Sequence, residues 1–420
     1  MSRSSASKVD PAVSGAKDRP ATSPRVMVYV QHLLGTGHLQ RAVLLADAMT
    51  RIGLAVTLVS GGFPVPGLLP ATARWVQLPP VGAADLRFQS LVDAQGQAVD
   101  DPLRDARRQA LLTIWRETDP QVLLVELFPF GRRQMRFELL PLLDAATQSP
   151  HPPVIVSSVR DVLGGQGDVQ RQRRMLAWFD QYFDHVLVHG DPALLPFDRT
   201  FAFVSELAAR LHYTGYVVDT DVTAGHPVEA GAGEGCDEVL VSAGGGAVGL
   251  PLLETAIRAR ALSQLAARRW RVLVGAGIGA AAFANLVALA RAVHGDGVVV
   301  ERNRTDFLQL LRRCRVSISQ AGYNTVMETL QLGVRAVMVP FSGGSETEQT
   351  LRARVLAERG WIDLVTESEL APETLALAVD RASLRTPAVP ASVRFDGADV
   401  SARWIQHWVS ESHNMKGTTP

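Results

Sequence analysis

The sequence predicts an α/β protein made of two doubly wound, Rossmann-like parallel-sheet domains facing each other across a cleft. Three observations carry this expectation. Short apolar runs alternate with helical stretches along the chain, the pattern of a parallel sheet covered on both faces. The alternation stops over 213–237, where Gly225, Gly231, Gly233 and Gly235 lie among few apolar residues. It then restarts on the same plan of strand, glycine loop, helix, strand, which makes the interruption a linker.

The elements follow in order. Residues 26–31 read as a first buried strand, then Leu34-Gly-Thr-Gly-His38, then a helix over 39–51 with Leu39, Val43, Ala46 and Met49 on one face. Strands follow at 56–60 and 75–78, the latter inside a proline-broken stretch. Residues 85–101 form a polar insertion, 102–118 a helix and 122–127 a strong strand. Residues 128–137 mix aromatics with arginines, and Pro129 and Gly131 make them a loop leading into a helix. A strand over 154–159 delivers Arg160 and Asp161 at its carboxyl end, with Gly164, Gly165 and Gly167 beyond. A helix over 168–183 and a strand over 185–189 complete the first domain, 25–212.

In the second domain, 238–390, strands fall at 238–243, 270–274, 298–301, 316–319 and 336–340. Pro251 opens a helix where its missing N–H is harmless. Helices are expected over 325–332, stopped by Gly333, from Glu346 onward, and over 375–382. The segment 391–412 carries a terminal amphipathic helix, with Trp404, Ile405 and Trp408 on its apolar side, packing back across the domains. Residues 1–24, rich in Ser, Ala and Pro, and 413–420 are expected to be disordered tails.

Composition narrows the function. Lys+Arg and Asp+Glu are 42 each, so no global field selects nucleic acid. Cys236 and Cys314 are too few for a disulfide framework or a zinc site, and no cofactor is expected. No apolar run approaches the roughly 20 residues of a membrane span, and 1–24 lack the apolar core of a secretory signal. The expected location is cytoplasmic.

Polar residues collect at carboxyl ends of strands and amino ends of helices, the rim where open α/β sheets bind ligands. No G-x-G-x-x-G or Walker A spacing is present. Gly35-Thr-Gly-His38 sets a histidine at a helix start, whose positive end lowers its pKa and keeps it fit to accept a proton; alternatively His38 only caps the helix. The N–H groups of Ser242-Ala-Gly-Gly-Gly246 suit a diphosphate, or the glycines only permit a tight turn. Thr325 to Glu328 reads as a capping box or as a carboxylate for ribose hydroxyls. Glu348 and Gln349 are a solvated helix start or a sugar reader. Glu126 and Asp161 are spare carboxylates at strand ends. The 128–137 segment is core plus solvated arginines, or a patch touching a lipid or aromatic acceptor.

Together, Gly35-Thr-Gly-His38, Ser242-Ala-Gly-Gly-Gly246 and the run Ser319-Gln-Ala-Gly-Tyr-Asn-Thr-Val-Met-Glu328 through Glu348-Gln349 resemble inverting glycosyltransferases of the B-type fold. The family is that of the bacterial cell-wall N-acetylglucosaminyltransferases, with a family 28-like C-terminal domain. The resemblance is strongest over 242–365 and weaker over 26–49. It implies a nucleoside-diphosphate sugar donor, with UDP first, and an acceptor that is lipid-linked or a glycan. It further implies that Gly244, Gly245 and Gly246 cradle the diphosphate, with Ser242, Gly322, Asn324 and Thr325 alongside. Glu328 would accept the ribose hydroxyls, Asp306 and Phe307 cap the base, and Glu348 and Gln349 read the sugar. Gly35, Thr36 and Gly37 would line the substrate side, with His38 as base and Glu126 and Asp161 in reserve. The implied location is the cytoplasm, extending to the inner face of the plasma membrane through 128–137. Where the family carries a G-N-P-x-R segment this chain reads Gly215-Tyr-Val-Val218, which implies a branch with a different product. A nucleotide-sugar 2-epimerase and a catalytically silent nucleotide-sugar sensor are the rival readings.

Overall fold

A computed structural model describes residues 23–33, 35–84, 90–163, 168–219, 233–244, 248–343, 347–387 and 389–416. The expectations for the tail at 1–22 and 417–420, for most of the linker at 220–232, and for Gly164, Gly165, Gly167, Gly245, Gly246 and Glu346 lie outside the described residues.

Two wholly parallel sheets organise the chain. The first runs in the order Arg74–Gln77, Ala55–Ser60, Arg25–Val30, Val122–Glu126, Val154–Arg160, His185–His189, Leu211–Tyr213. The second runs Val298–Arg302, Trp270–Val274, Val239–Ser242, Val316–Ser319, Ala336–Met338, Asp363–Leu364. The central strands are buried along nearly their whole length, as in Val122–Glu126 and Trp270–Val274. Continuous apolar, β-branched runs suit strands covered on both faces. Both sheets reverse strand order next to their first strand in sequence, so each has a switch point at the carboxyl end of Arg25–Val30 or Val239–Ser242.

Some elements differ from expectation. Tyr213, expected to begin the linker, closes a seventh strand, Leu211–Tyr213, paired to His185–His189. That strand is only half-buried and three residues long, too short for a periodic signal. The helix expected over 325–332 begins at Tyr323. The insertion after residue 80 contains a small antiparallel pair, Gly82–Ala83 with Leu91–Val92.

The lobes share a core. Val162, Leu194, Leu195, Tyr216 and Val218 pack with Ala321, Tyr323, Val326 and Met327. The Tyr323 hydroxyl donates to the His189 carbonyl at 3.0 Å. Asp161 and Arg352, both essentially without solvent, pair at 2.7 Å across the junction. The terminal helix Gly397–Lys416 returns to the first lobe. Its Ile405, Trp408 and Val409 join the core under helix Gly37–Arg51, and Asp399 pairs with Arg51 at 2.8 Å. Among the described residues no helix is long and apolar enough to cross a membrane.

Candidate active site

Three neighbouring parallel strands end side by side in the first lobe, and their termini bring together side chains far apart in sequence. His38 is the second residue of helix Gly37–Arg51, which follows strand Arg25–Val30. Glu126 ends the adjacent strand, and Arg160 ends the next. His38 Nδ1 lies 2.6 Å from Glu126 Oε1. Arg41 Nη2 donates to the same carboxylate oxygen. Arg160 Nη2 lies 3.3 Å from His38 Nε2. A guanidinium only donates, so Nε2 carries the lone pair and Nδ1 the proton given to Glu126. The 3.3 Å approach of Arg41 to Nδ1 is secondary to its bond with Glu126.

Burial pushes the His38 pKa well below its ordinary value; Glu126 opposes this, and Arg132 and Arg160 add to it. The neutrality expected from the helix end is thus chiefly a product of burial. Burial alone would raise Glu126, but His38, Arg41 and Arg132 outweigh it and bring that carboxyl down to about 2. The result near neutral pH is a neutral imidazole held by an ionised carboxylate, with its Nε2 lone pair against Arg160 Nη2.

The second lobe meets this rim closely. Glu328 lies buried on helix Tyr323–Gln331, with Gln40 Nε2 of the first lobe 3.4 Å from its Oε1. Asn324 Nδ2 donates to Gln40 Oε1 at 2.7 Å. Gly37 passes so near that a Cβ there would come within 3.3 Å of Asn324 Nδ2. Burial, with a smaller push from Asp219, raises Glu328 to about 7, against the Gln40 hydrogen bond. The capping-box reading of Thr325 to Glu328 gives way. Gly322 is the N-cap, no side chain caps the helix, and Glu328 sits at the sixth helical position. Thr325 uses its carbonyl to accept from Thr329 Oγ1 at 2.6 Å.

Glu348 and Gln349 open helix Glu348–Glu358. Glu348 reaches across to Arg160 at 3.2 Å, and Gln349 Oε1 accepts the Phe341 N–H at 3.1 Å. Ser242 ends its strand, buried. Gly244 follows with φ +68°, a left-handed turn that favours glycine; its partners in the motif, Gly245 and Gly246, are outside the described residues. Asp306 pairs with Arg304 at 2.7 Å. Phe307 opens helix Phe307–Arg313 and packs against the cluster of Leu240, Leu273, Leu310 and Leu311. In the first loop, the Thr36 carbonyl accepts the Gln40 N–H at 2.9 Å, while a Cβ on Gly35 would meet nothing within 4 Å.

One expectation is corrected by burial. Asp161, a reserve base, is fully enclosed and bound by two guanidinium nitrogens of Arg352 at 2.7 and 3.2 Å, so its lone pairs do not reach the cleft. In the 128–137 segment Phe128 and Phe130 are core, Phe128 against Trp178 and Phe183, Phe130 against Phe179, Phe197 and Phe201, while Arg133 and Arg136 are exposed, which fits the alternative of core aromatics with solvated arginines. Sequence reasoning missed Gln40, Arg41 and Arg352. The first two follow His38 by two and three residues on the same helix, and that adjacency was the available signal. Among the described residues no group of three or more His, Cys, Asp or Glu side chains could hold a metal ion.

Residues 245–391 match the model of the glycosyltransferase family 28 C-terminal domain. The chain is 32% identical over 207 residues to the UDP-N-acetylglucosamine--N-acetylmuramyl-(pentapeptide) pyrophosphoryl-undecaprenol N-acetylglucosamine transferase of Thiobacillus denitrificans, covering 48% of this chain and 50% of that enzyme. It spans half or less of the length of such curated relatives. Among solved structures, Acinetobacter baumannii MurG superposes with a TM-score of 0.53 at 16% identity, covering 93% of this chain and 100% of that one. The UDP-GlcNAc 2-epimerase of Methanocaldococcus jannaschii gives 0.59 at 9% identity, covering 92% and 99%. Sequence match over the second lobe and shared architecture over both agree: residues 245–391 are similar to the glycosyltransferase family 28 C-terminal domain, within a chain of the two-lobed B-type fold.

Proposed function

We propose that the protein transfers a sugar from a nucleoside-diphosphate sugar, with UDP as the nucleotide, to an acceptor hydroxyl or amine with inversion at the anomeric carbon. The observation that carries this reading is the His38–Glu126 pair, 2.6 Å apart, on the rim that faces the family 28 domain. A general base needs a fixed tautomer and a lone pair unprotonated at the working pH; this pair supplies both, and the reading requires Arg160 to yield Nε2 to the acceptor. His38 Nε2 takes the acceptor proton as the acceptor oxygen attacks the anomeric carbon opposite the leaving diphosphate. Glu126 holds Nδ1–H and stabilises the imidazolium that forms. Gly244, with Gly245 and Gly246 as the resemblance implies, and the amino end of helix Leu250–Ala259, which no side chain caps, receive the diphosphate. Glu328 takes the ribose hydroxyls, and Glu348 with Gln349 the sugar. On this reading no metal takes part, and turnover persists in chelator.

Thermal-shift screening of UDP, GDP, dTDP and their sugars tests the donor; stabilisation by none of them would remove the reading. UDP-N-acetylglucosamine is the first sugar to try, with lipid-linked and glycan acceptors. The second reading, a 2-epimerase, is favoured by the superposition on such an enzyme at a TM-score of 0.59. Incubation of UDP-N-acetylglucosamine without acceptor separates the two, since only an epimerase inverts C2 of the donor there. A protein that binds UDP without turnover or donor hydrolysis would be a sensor.

A further inference from the structure

Two carboxylates of the second lobe that the transfer reading gives to the donor are each occupied by a side chain of the first lobe. Gln40 Nε2 lies 3.4 Å from Glu328 Oε1, and Gln40 Oε1 accepts from Asn324 Nδ2 at 2.7 Å. Arg160 Nη2 lies 3.2 Å from Glu348 Oε2. Gly37, three residues before Gln40, has no Cβ to crowd Asn324, which lets the two helices approach this closely.

The seat at Glu328 is full. The space left beside it, lined by Gln40, Arg41, Asp219 and Asn324 among others, measures about 10 Å³, room for at most one water. A ribose enters only if a neighbour moves. The lobes resist moving as bodies, because Asp161 and Arg352 are paired across the junction without solvent, and separating such a pair strands two buried charges. The Tyr323 hydroxyl also bridges the lobes, donating to the His189 carbonyl at 3.0 Å and accepting from the Val217 N–H at 3.3 Å. Arg41 is tied to Glu126. Glu328 sits in a buried run, 326–331, of helix Tyr323–Gln331. Gln40 is the exception: it is half-buried and held by one short and one long hydrogen bond. Turning its side chain aside exchanges neutral hydrogen bonds for water, a small net cost.

We propose that Gln40 is a built-in competitor of the donor: in the ligand-free chain its amide fills the seat at Glu328, and it swings aside when ribose hydroxyls take that carboxylate. This deepens the transfer reading and rests on its assignment of Glu328. The amide donates to the carboxylate as a ribose hydroxyl does, so the buried group keeps a partner before and after the exchange. The movement is that of one side chain, with the junction between the lobes left closed. Gln40 therefore lowers donor affinity, the opposite of what a donor-contacting residue does.

Calorimetric titration of the full chain with UDP tests this. Gln40→Ala should bind UDP roughly three- to tenfold tighter than the unaltered chain, since one competing hydrogen-bonded contact is gone. In a Glu328→Ala background the same change should alter UDP affinity by less than about twofold, as two residues acting on one seat require. Should Gln40→Ala fail to fold, Gln40→Ser is read in the same way. Weaker UDP binding in Gln40→Ala would make Gln40 a donor contact, and unchanged binding would make it a structural one. A gain that persists without Glu328 would place the effect elsewhere. Each of these overturns the proposal while the transfer reading stands. UDP binding to Gln40→Ala but not to the unaltered chain supports the proposal in its strongest form. If neither binds UDP, the transfer reading fails and the proposal falls with it.

Discussion

The two lobes share a sheet plan but load their ligand rims differently. In the first lobe the strand ends carry ionised and titratable side chains: His38, Glu126, Arg41, Arg160 and Asp161. In the second lobe the corresponding turns use glycine and main chain, with Gly244 left-handed and Gly322 as a helix N-cap, with Glu328 set behind them and Glu348 reaching across to Arg160. Side chains can present a lone pair with a tuned pKa, which proton transfer requires. Main-chain N–H groups cannot titrate, so they suit a diphosphate whose charge must be met without reorganisation. On this comparison the first lobe carries the chemistry and the second the grip.

The comparison can be broken at several points. The largest effect is expected for His38→Ala, with turnover falling about 10²- to 10⁴-fold and UDP affinity unchanged by calorimetry. Near-wild-type turnover would take the base away from the first lobe. Asp161→Asn comes next. It strands the buried Arg352 cation, and loss of one partner of such a pair costs about 3–5 kcal/mol in urea unfolding. A loss below 1 kcal/mol would mean that the lobe junction does not depend on that pair.

Glu328 gives a pH signature. Its carboxyl is raised to about 7 in the folded chain, chiefly by burial, so the native state keeps a proton that the unfolded chain has released. Its contribution to stability is therefore fully present below the ordinary glutamate pKa and is lost as pH rises toward 7. Glu328→Gln should remove that decline, an effect of at most about 3 kcal/mol between pH 5 and pH 8. The same variant should abolish any rise in UDP-sugar affinity between pH 6 and pH 8. A decline of equal size in the variant would assign it to other groups. The smallest effect is expected at Arg304→Ala, where the solvent-screened pairs with Asp306 and Glu234 should leave the urea unfolding midpoint nearly unchanged. A loss of nucleotide affinity without a stability change would instead tie Asp306 to the base-binding loop.

Much of the scaffold is legible in the chain itself. Strands such as Trp270–Val274 and Val316–Ser319 stand where the apolar runs place them, because a strand buried on both faces needs no partner to be recognised. The exceptions are short edges. Leu211–Tyr213 and Asp363–Leu364 have too few residues for a period. The start of helix Tyr323–Gln331 was hidden because Gly322 caps it without a side chain, leaving no Ser, Thr, Asp or Asn to mark it. His38 was visible as a polar residue at a helix start, and Glu328 as a carboxylate in the helix that follows strand Val316–Ser319. Their surroundings were not, since Gln40 contacts Glu328 from 288 residues away.

The order of apolar runs and glycine turns was enough to set two parallel sheets and to put polar residues on their rims, because strand burial and turn geometry are local demands on residue type. Which carboxylate serves the histidine was decided by strand order alone. Strand Val122–Glu126 lies beside Arg25–Val30 in parallel register, and this brings Glu126 to His38 across 88 residues. The neighbouring Asp161, one residue past the next strand, is turned instead to Arg352 on the other lobe. Proximity across a sheet depends on which strands pair, and pairing is a property of the folded whole.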